Sequence, residues 1–144
     1  MRKKSVTIKP TNLPRSSERV VSSPYTDKKV LFSFQRLQEK EQKFLFSNQE
    51  KEYFLKLIER MKSISGMTRQ EMISQNTRAL RCHNIEFSDS KVSESTFGVK
   101  GEDVDDDAWQ FQISSNAHGR VHGYFIENVF YIVWLDPKHE LYEV

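Results

Sequence analysis

The sequence predicts an α+β fold, two helices packed on one face of a small antiparallel sheet, preceded by a flexible basic N-terminal arm. Three observations predict it. Apolar residues recur at helical spacing behind two capping signatures between residues 47 and 80, the period becomes two from Trp109 onward, and residues 1 to 29 show no sustained periodicity.

The arm carries Pro10, Pro14 and Pro24 among many Ser and Thr, a composition that buries too little surface to offset its ordering entropy. It holds eight Lys/Arg against Glu18 and Asp27, net +6, while the other 115 residues hold 14 against 18, net −4. The overall +2 is therefore a property of the arm, which could touch nucleic acid or an acidic partner or serve only as a solvated leader. Residues 30 to 144 form the domain proper.

Val30 to Phe34 is rich in β-formers and predicts a first strand. Ser47 and Glu50 form a capping box, and Phe54, Leu57, Ile58, Met61 and Ile64 follow as one apolar stripe ended by Gly66. Thr68 and Glu71 repeat the box, predicting a second helix over 69 to 80 with Met72, Ile73 and Leu80 inward. Asn84 to Phe87 reads as a short strand. Residues 88 to 107 read as a loop with Gly98, Gly101 and the acids Glu102, Asp103, Asp105, Asp106 and Asp107.

Trp109, Phe111 and Ile113 then alternate with polar residues, as do Val121 and Phe125 with Arg120, His122 and Tyr124. Glu127-Asn128 predicts a two-residue hairpin, with Asn128 taking any positive φ, leading into the apolar strand Val129 to Leu135. That turn pairs Ile126 with Val129 and sets Phe125, Phe130, Gly123, Ile132, Val121 and Trp134 on the helix side. The other face then carries Tyr124 opposite Tyr131, His122 opposite Val133 and Arg120 opposite Leu135.

Composition bounds the function classes. One domain suits 144 residues with 37% apolar and 29% charged content and a mean hydropathy of −0.67. The longest apolar run, 129 to 135, is too short to cross a bilayer, and the basic start MRKKSVTIKP lacks the apolar segment of a signal peptide, so no membrane association is expected. Cys82 is the one cysteine, which excludes an intrachain disulfide and a thiolate zinc cluster and fits the reducing cytoplasm. His118 and His122, four apart on a strand, lack zinc-site spacing, so no metal and no cofactor are expected; glycine-rich phosphate loops, nucleophile elbows and DNA-reading helix motifs are absent too.

The order strand, helix, helix, meander, with Trp109-Gln-Phe-Gln-Ile-Ser, Arg120-Val-His-Gly-Tyr, a short turn, an apolar strand and a terminal His139-Glu-Leu-Tyr142, resembles the RelE/ParE superfamily of bacterial toxins. The likeness covers residues 30 to 142 in element order and 109 to 142 in residue pattern. It implies a toxin-type endoribonuclease that hydrolyses mRNA, including ribosome-associated mRNA, without a metal, and that a partner antitoxin holds inactive. Such cleavage needs a base for the 2′-hydroxyl, a cation for the phosphate and an acid for the 5′-oxygen. The resemblance places Arg120 on the phosphate, His139 at proton transfer with His122 as the alternative, and Tyr142 and Tyr124 as orienting or stacking groups. Arg78, Arg81 and His83 at the end of the second helix could line an RNA groove, or simply complement the helix dipole. The first meander strand offers Gln110 and Gln112 where RNA-cleaving members commonly place a basic residue. A non-catalytic module of the same fold binding protein or nucleic acid is the alternative reading, and contact through the acidic loop at 102 to 107 is a third. His118 reads as a turn residue.

Overall fold

A computed structural model describes residues 26–74, 80–99, 104–114 and 117–142. The greater part of the arm, Arg78, which the sequence predicted to lie on the second helix, and Glu102 and Asp103 of the predicted acidic loop lie outside the described residues.

The described chain is α+β. In order it forms β1 (Leu31–Ser33), α1 (Lys51–Ile64), α2 (Arg69–Ser74), β2 (His83–Asn84), a 3₁₀ turn (Asp105–Asp107), β3 (Ala108–Gln112), β4 (Arg120–Ile126) and β5 (Val129–Asp136). The five strands make one sheet in the order β1-β5-β4-β3-β2. Its four C-terminal strands pair antiparallel, but β1 runs parallel to β5, so the sheet is mixed where the sequence predicted an antiparallel one. The reason lies at the start of β1. Leu31 N–H donates to Asn128 O at 3.0 Å and the Asn128 side chain donates to Lys29 O at 2.9 Å, which ties the beginning of β1 to the beginning of β5 and sends both the same way. Asn128 is buried for this purpose, and the positive φ of the hairpin falls on Glu127, at 55°, rather than on Asn128.

Helix α1 differs from its predicted cap and stripe. The Ser47–Glu50 box does not close, because the Glu39 carboxylate takes the amides of Phe46 and Ser47 and the Ser47 hydroxyl first. The Ser47 amide, then that of Phe46, hold the Glu39 carboxyl below its ordinary range. The helix starts after Glu50, which makes no side-chain cap, and buries Tyr53, Leu57 and Ile64, with Phe54 and Met61 half-buried. Ile58 is 63% exposed, since the stripe drifts toward Tyr53 by one position. Ile58→Lys is accordingly expected to move the chemical-denaturation stability by no more than about 0.5 kcal/mol. A larger loss would show that Ile58 is covered. Helix α2 does form its box: Thr68 N–H donates to Glu71 Oε1 at 2.8 Å and Glu71 N–H to Thr68 Oγ1 at 3.1 Å.

Both faces of the sheet are covered. On one, Phe111, Val121, Phe125, Phe130, Ile132 and Leu135 pack with Tyr53, Leu57, Ile64 and Met72 of the helices. On the other, Ala108, Tyr124, Val133 and Trp134 pack under Phe44, Ile85, Val92, Phe97 and Leu141 from the connecting segments. Tyr124 and Tyr131 stack as predicted, centroids 5.1 Å apart, but Tyr124 is fully buried. Stacking of a substrate base on Tyr124 would need that cover to open.

The register holds from Ile126 opposite Val129 to Gly123 opposite Ile132, then slips by one. His122 faces Trp134, Val121 faces Leu135 and Arg120 faces Asp136; Val133 is the extra residue of a β-bulge. The straight ladder read from the sequence put Trp134 under the helices and Leu135 opposite Arg120; the bulge moves Trp134 to the other face and sends Leu135 under the helices. The Val133 carbonyl accepts from Gln38 N–H at 3.0 Å. Beside the bulge Gly123 has no room for a side chain, since a Cβ there would sit 2.1 Å from Tyr131 O and 2.6 Å from the Phe130 ring.

Candidate functional site

The bulge creates the site. It brings the Asp136 carboxylate onto the face that already holds Arg120, His122 and Gln110, which are neighbours across β4 and β3. His122 Nε2 lies 2.9 Å from Asp136 Oδ2, both side chains buried at 0% and 1% exposure. Asp136 also accepts the amides of Glu140, at Oδ1 and 2.7 Å, and of Leu141, at Oδ2 and 3.0 Å. Burial would raise this carboxyl, yet the hydrogen bond from His122, the attraction of its ring and the two amides outweigh burial and hold it below its ordinary value. The carboxylate is thus a clamp on the turn from Pro137 to Leu141.

That turn carries His139, whose φ of 57° lies in the left-handed region, unusual for a residue with a side chain. Its amide donates to Asp136 O at 3.3 Å. Across the turn's base, Gly119 packs so closely that a Cβ would lie 1.9 Å from Asp136 O and 2.7 Å from Pro137 Cα, and its φ of 76° is itself a glycine conformation. Strand β4 therefore starts against the backbone that presents His139.

A cleft of about 290 Å³ opens at this end of the sheet, lined by Arg81, His83, Gln110, Arg120, His122, Asp136, His139 and Tyr142. Arg81, also at positive φ, and His83 come from β2 and its approach, on the far side of β3. Arg120 and Arg81 have no carboxylate within ion-pair distance among the described residues. Burial first, then the neighbouring Arg81, lowers the Arg120 pKa, and burial first, then Arg120, lowers that of His139 below 6.5. Burial first, then Asp89 and Glu86, raises that of Tyr142. At neutral pH the rim thus presents two guanidinium groups, a neutral His139 ring and a protonated Tyr142 phenol.

Of the residues singled out in the sequence, Arg81, His83, Arg120, His122, His139 and Tyr142 meet in this cleft; Tyr124 does not. His122 meets it only as buried wall: Nε2 is engaged by Asp136, and Nδ1 is sealed without a partner among the described residues. His118 sits elsewhere, with Nδ1 2.6 Å from Ser114 Oγ and its ring against Tyr53. Asp105 and Asp107 of the acidic loop are occupied away from the cleft, by the Phe97 amide and by Arg69 with the Trp109 indole. One lining residue was not anticipated, Asp136, visible only as the Asp-Pro that ends a strand. In the sequence Gln110 stands out only as occupying a position where the resembled family commonly places a basic residue, and not as a site residue.

Comparison with protein-family models, curated proteins and solved structures finds no match to this chain. The cleft has to be read from its own chemistry. Among the described residues no group of three or more His, Cys, Asp and Glu could hold a metal ion, and no helix is long and apolar enough to cross a membrane.

Proposed function

We propose that the cleft binds an RNA phosphodiester and that the chain is a RelE-like, toxin-type endoribonuclease acting on mRNA, at the ribosome or free of it, and held inactive by an antitoxin. The observation that carries this reading is the meeting of Arg81, Arg120, His83 and His139 in one cleft where the one lining carboxylate among the described residues, Asp136, is turned inward to His122 and two amides. Two guanidiniums without an ion pair among the described residues suit a dianionic or developing charge on phosphate, which they meet with paired N–H donors. His139, neutral at pH 7, removes the proton of the 2′-hydroxyl. The 2′-oxygen forms a bond to phosphorus, the bond to the 5′-oxygen breaks, and His83 across the cleft returns a proton to that oxygen. The Tyr142 phenol, which keeps its proton, donates to a substrate oxygen or supports a base.

The test is incubation of the purified full chain with single-stranded RNA in EDTA. Fragments with 2′,3′-cyclic phosphate and 5′-hydroxyl ends are expected, lost in His139→Ala with the thermal midpoint retained. The ascending limb of the pH–rate profile is expected below 6.5, because the base must be neutral and its pKa is lowered in the fold. Binding without cleavage would instead establish the second reading, a non-catalytic module of the same fold, which the sealing of His122 and the glutamines on β3 favour. Absence of RNA binding, with cell growth unaffected by expression, would dismiss the enzyme and the RNA-binding form of the second reading, leaving a module that binds protein.

A further inference from the structure

Gln110 lies at the middle of the cleft floor. The register sets it between His83 on β2 and His122 on β4, so the three side chains stand in a row on one face. The residue is 8% exposed and lines the cleft. Its neighbours are spoken for: Asn84 donates to Ala108 O and His122 meets Asp136. Among the described residues the Gln110 carboxamide makes no hydrogen bond, and its polar atoms, unlike His122 Nδ1, are not sealed but open into the cleft. At the floor of an open cleft, both its donor and its acceptor are available to a ligand.

A phosphate does not satisfy it. Phosphate oxygens only accept, whereas a carboxamide presents an N–H₂ donor beside a carbonyl acceptor, and the acceptor needs an N–H or O–H. A nucleobase edge supplies both together, and unstacked bases of single-stranded RNA are read by such edges and by stacking on aromatic rings. The Tyr142 ring lines the same cleft.

We infer that the cleft takes a whole nucleotide, with its phosphate on Arg81 and Arg120 and its base on Gln110, and that Gln110 determines which base is accepted. This rests on the reading of the cleft as a phosphate site. The experiment measures binding of the four nucleoside monophosphates and of ribose 5-phosphate to the full chain by calorimetry. At least one nucleotide is expected to bind ~10-fold more tightly than ribose 5-phosphate, the scale of a good paired hydrogen bond to a base. Gln110→Leu is expected to bring the four nucleotides to a common affinity while leaving ribose 5-phosphate unchanged. Gln110→Glu offers acceptors only, and it is expected to shift the preference to guanine, which alone carries two adjacent N–H donors on its pairing edge. The glutamate variant carries the test if the leucine variant does not fold. Nucleotides bound no better than ribose 5-phosphate, or a base preference untouched by both substitutions, would overturn the inference while leaving the phosphate site standing. Failure of ribose 5-phosphate and all nucleotides to bind would remove the phosphate site and this inference together.

Discussion

Asp136→Ala is expected to lower the unfolding free energy by about 3–5 kcal/mol, the cost of leaving a buried ring nitrogen and two amides without the carboxylate that accepts from them. The substitution strands His122 Nε2, at 0% exposure, together with the amides of Glu140 and Leu141. Asp136→Asn keeps oxygen acceptance for one of these contacts and is expected to fall between alanine and the native chain. The pH dependence carries the sign. The folded-state pKa of Asp136 lies below that of the unfolded carboxyl, so the unfolded chain binds more protons and stability rises with pH. This contribution is complete above the unfolded value of about 3.9 and is lost as pH falls through the lower folded value. Glu39, Glu71 and Glu94 also have lowered values, and they are shared by native and variant chains. The gap between native and Asp136→Asn midpoints should therefore narrow on acidification below pH 4. A gap that stays constant there would mean that Asp136 does not act as an ionised clamp.

Arg120→Ala is expected to reduce RNA cleavage by ~10²–10³-fold, the usual loss when a donor to developing transition-state charge is removed. Stability should hold. The guanidinium has no ion pair among the described residues, makes one long hydrogen bond of 3.4 Å to Gly119 O, and is disfavoured by Arg81 beside it. Arg120→Lys keeps the charge but not the planar fork, so it should recover binding in low salt and little of the rate. Single-turnover rates beside thermal midpoints separate these outcomes. An Arg120→Ala chain that cleaves RNA at the native rate would remove this residue from the phosphate.

Local signals in the sequence describe much of the fold. The period-two runs mark β3 and β4, the apolar run after the Glu127-Asn128 turn marks β5, and Thr68 with Glu71 marks the start of α2, because each depends on residues a few positions apart. What sequence reading loses is competition at long range. Ser47 carries a capping signature as good as that of Thr68, and only the fold shows that Glu39 reaches its amide first. Parallel pairing of β1 depends on Asn128, which in the sequence is one more turn residue. In the site, Arg120, His139 and Tyr142 are legible by residue type, yet the straight ladder set Leu135 where Asp136 stands. A bulge has no local signature in Ile132-Val133-Trp134, all of which suit either face, and one uncounted residue exchanges the faces of everything beyond it. The carboxylate that organises the His139 turn was hidden by that single step.

The parallel pairing of β1 with β5 also bears on synthesis. The bond between Asn128 and Lys29 joins positions 99 residues apart, and at a translation rate of roughly 5–20 residues per second β1 leaves the ribosome about 5–20 s before its partner exists. Over that interval Phe32 has neither the Phe130 nor the Phe111 ring to pack on. The nascent chain must carry an unmatched apolar strand until its last strand emerges, which makes the C-terminal hairpin the step that commits the whole sheet.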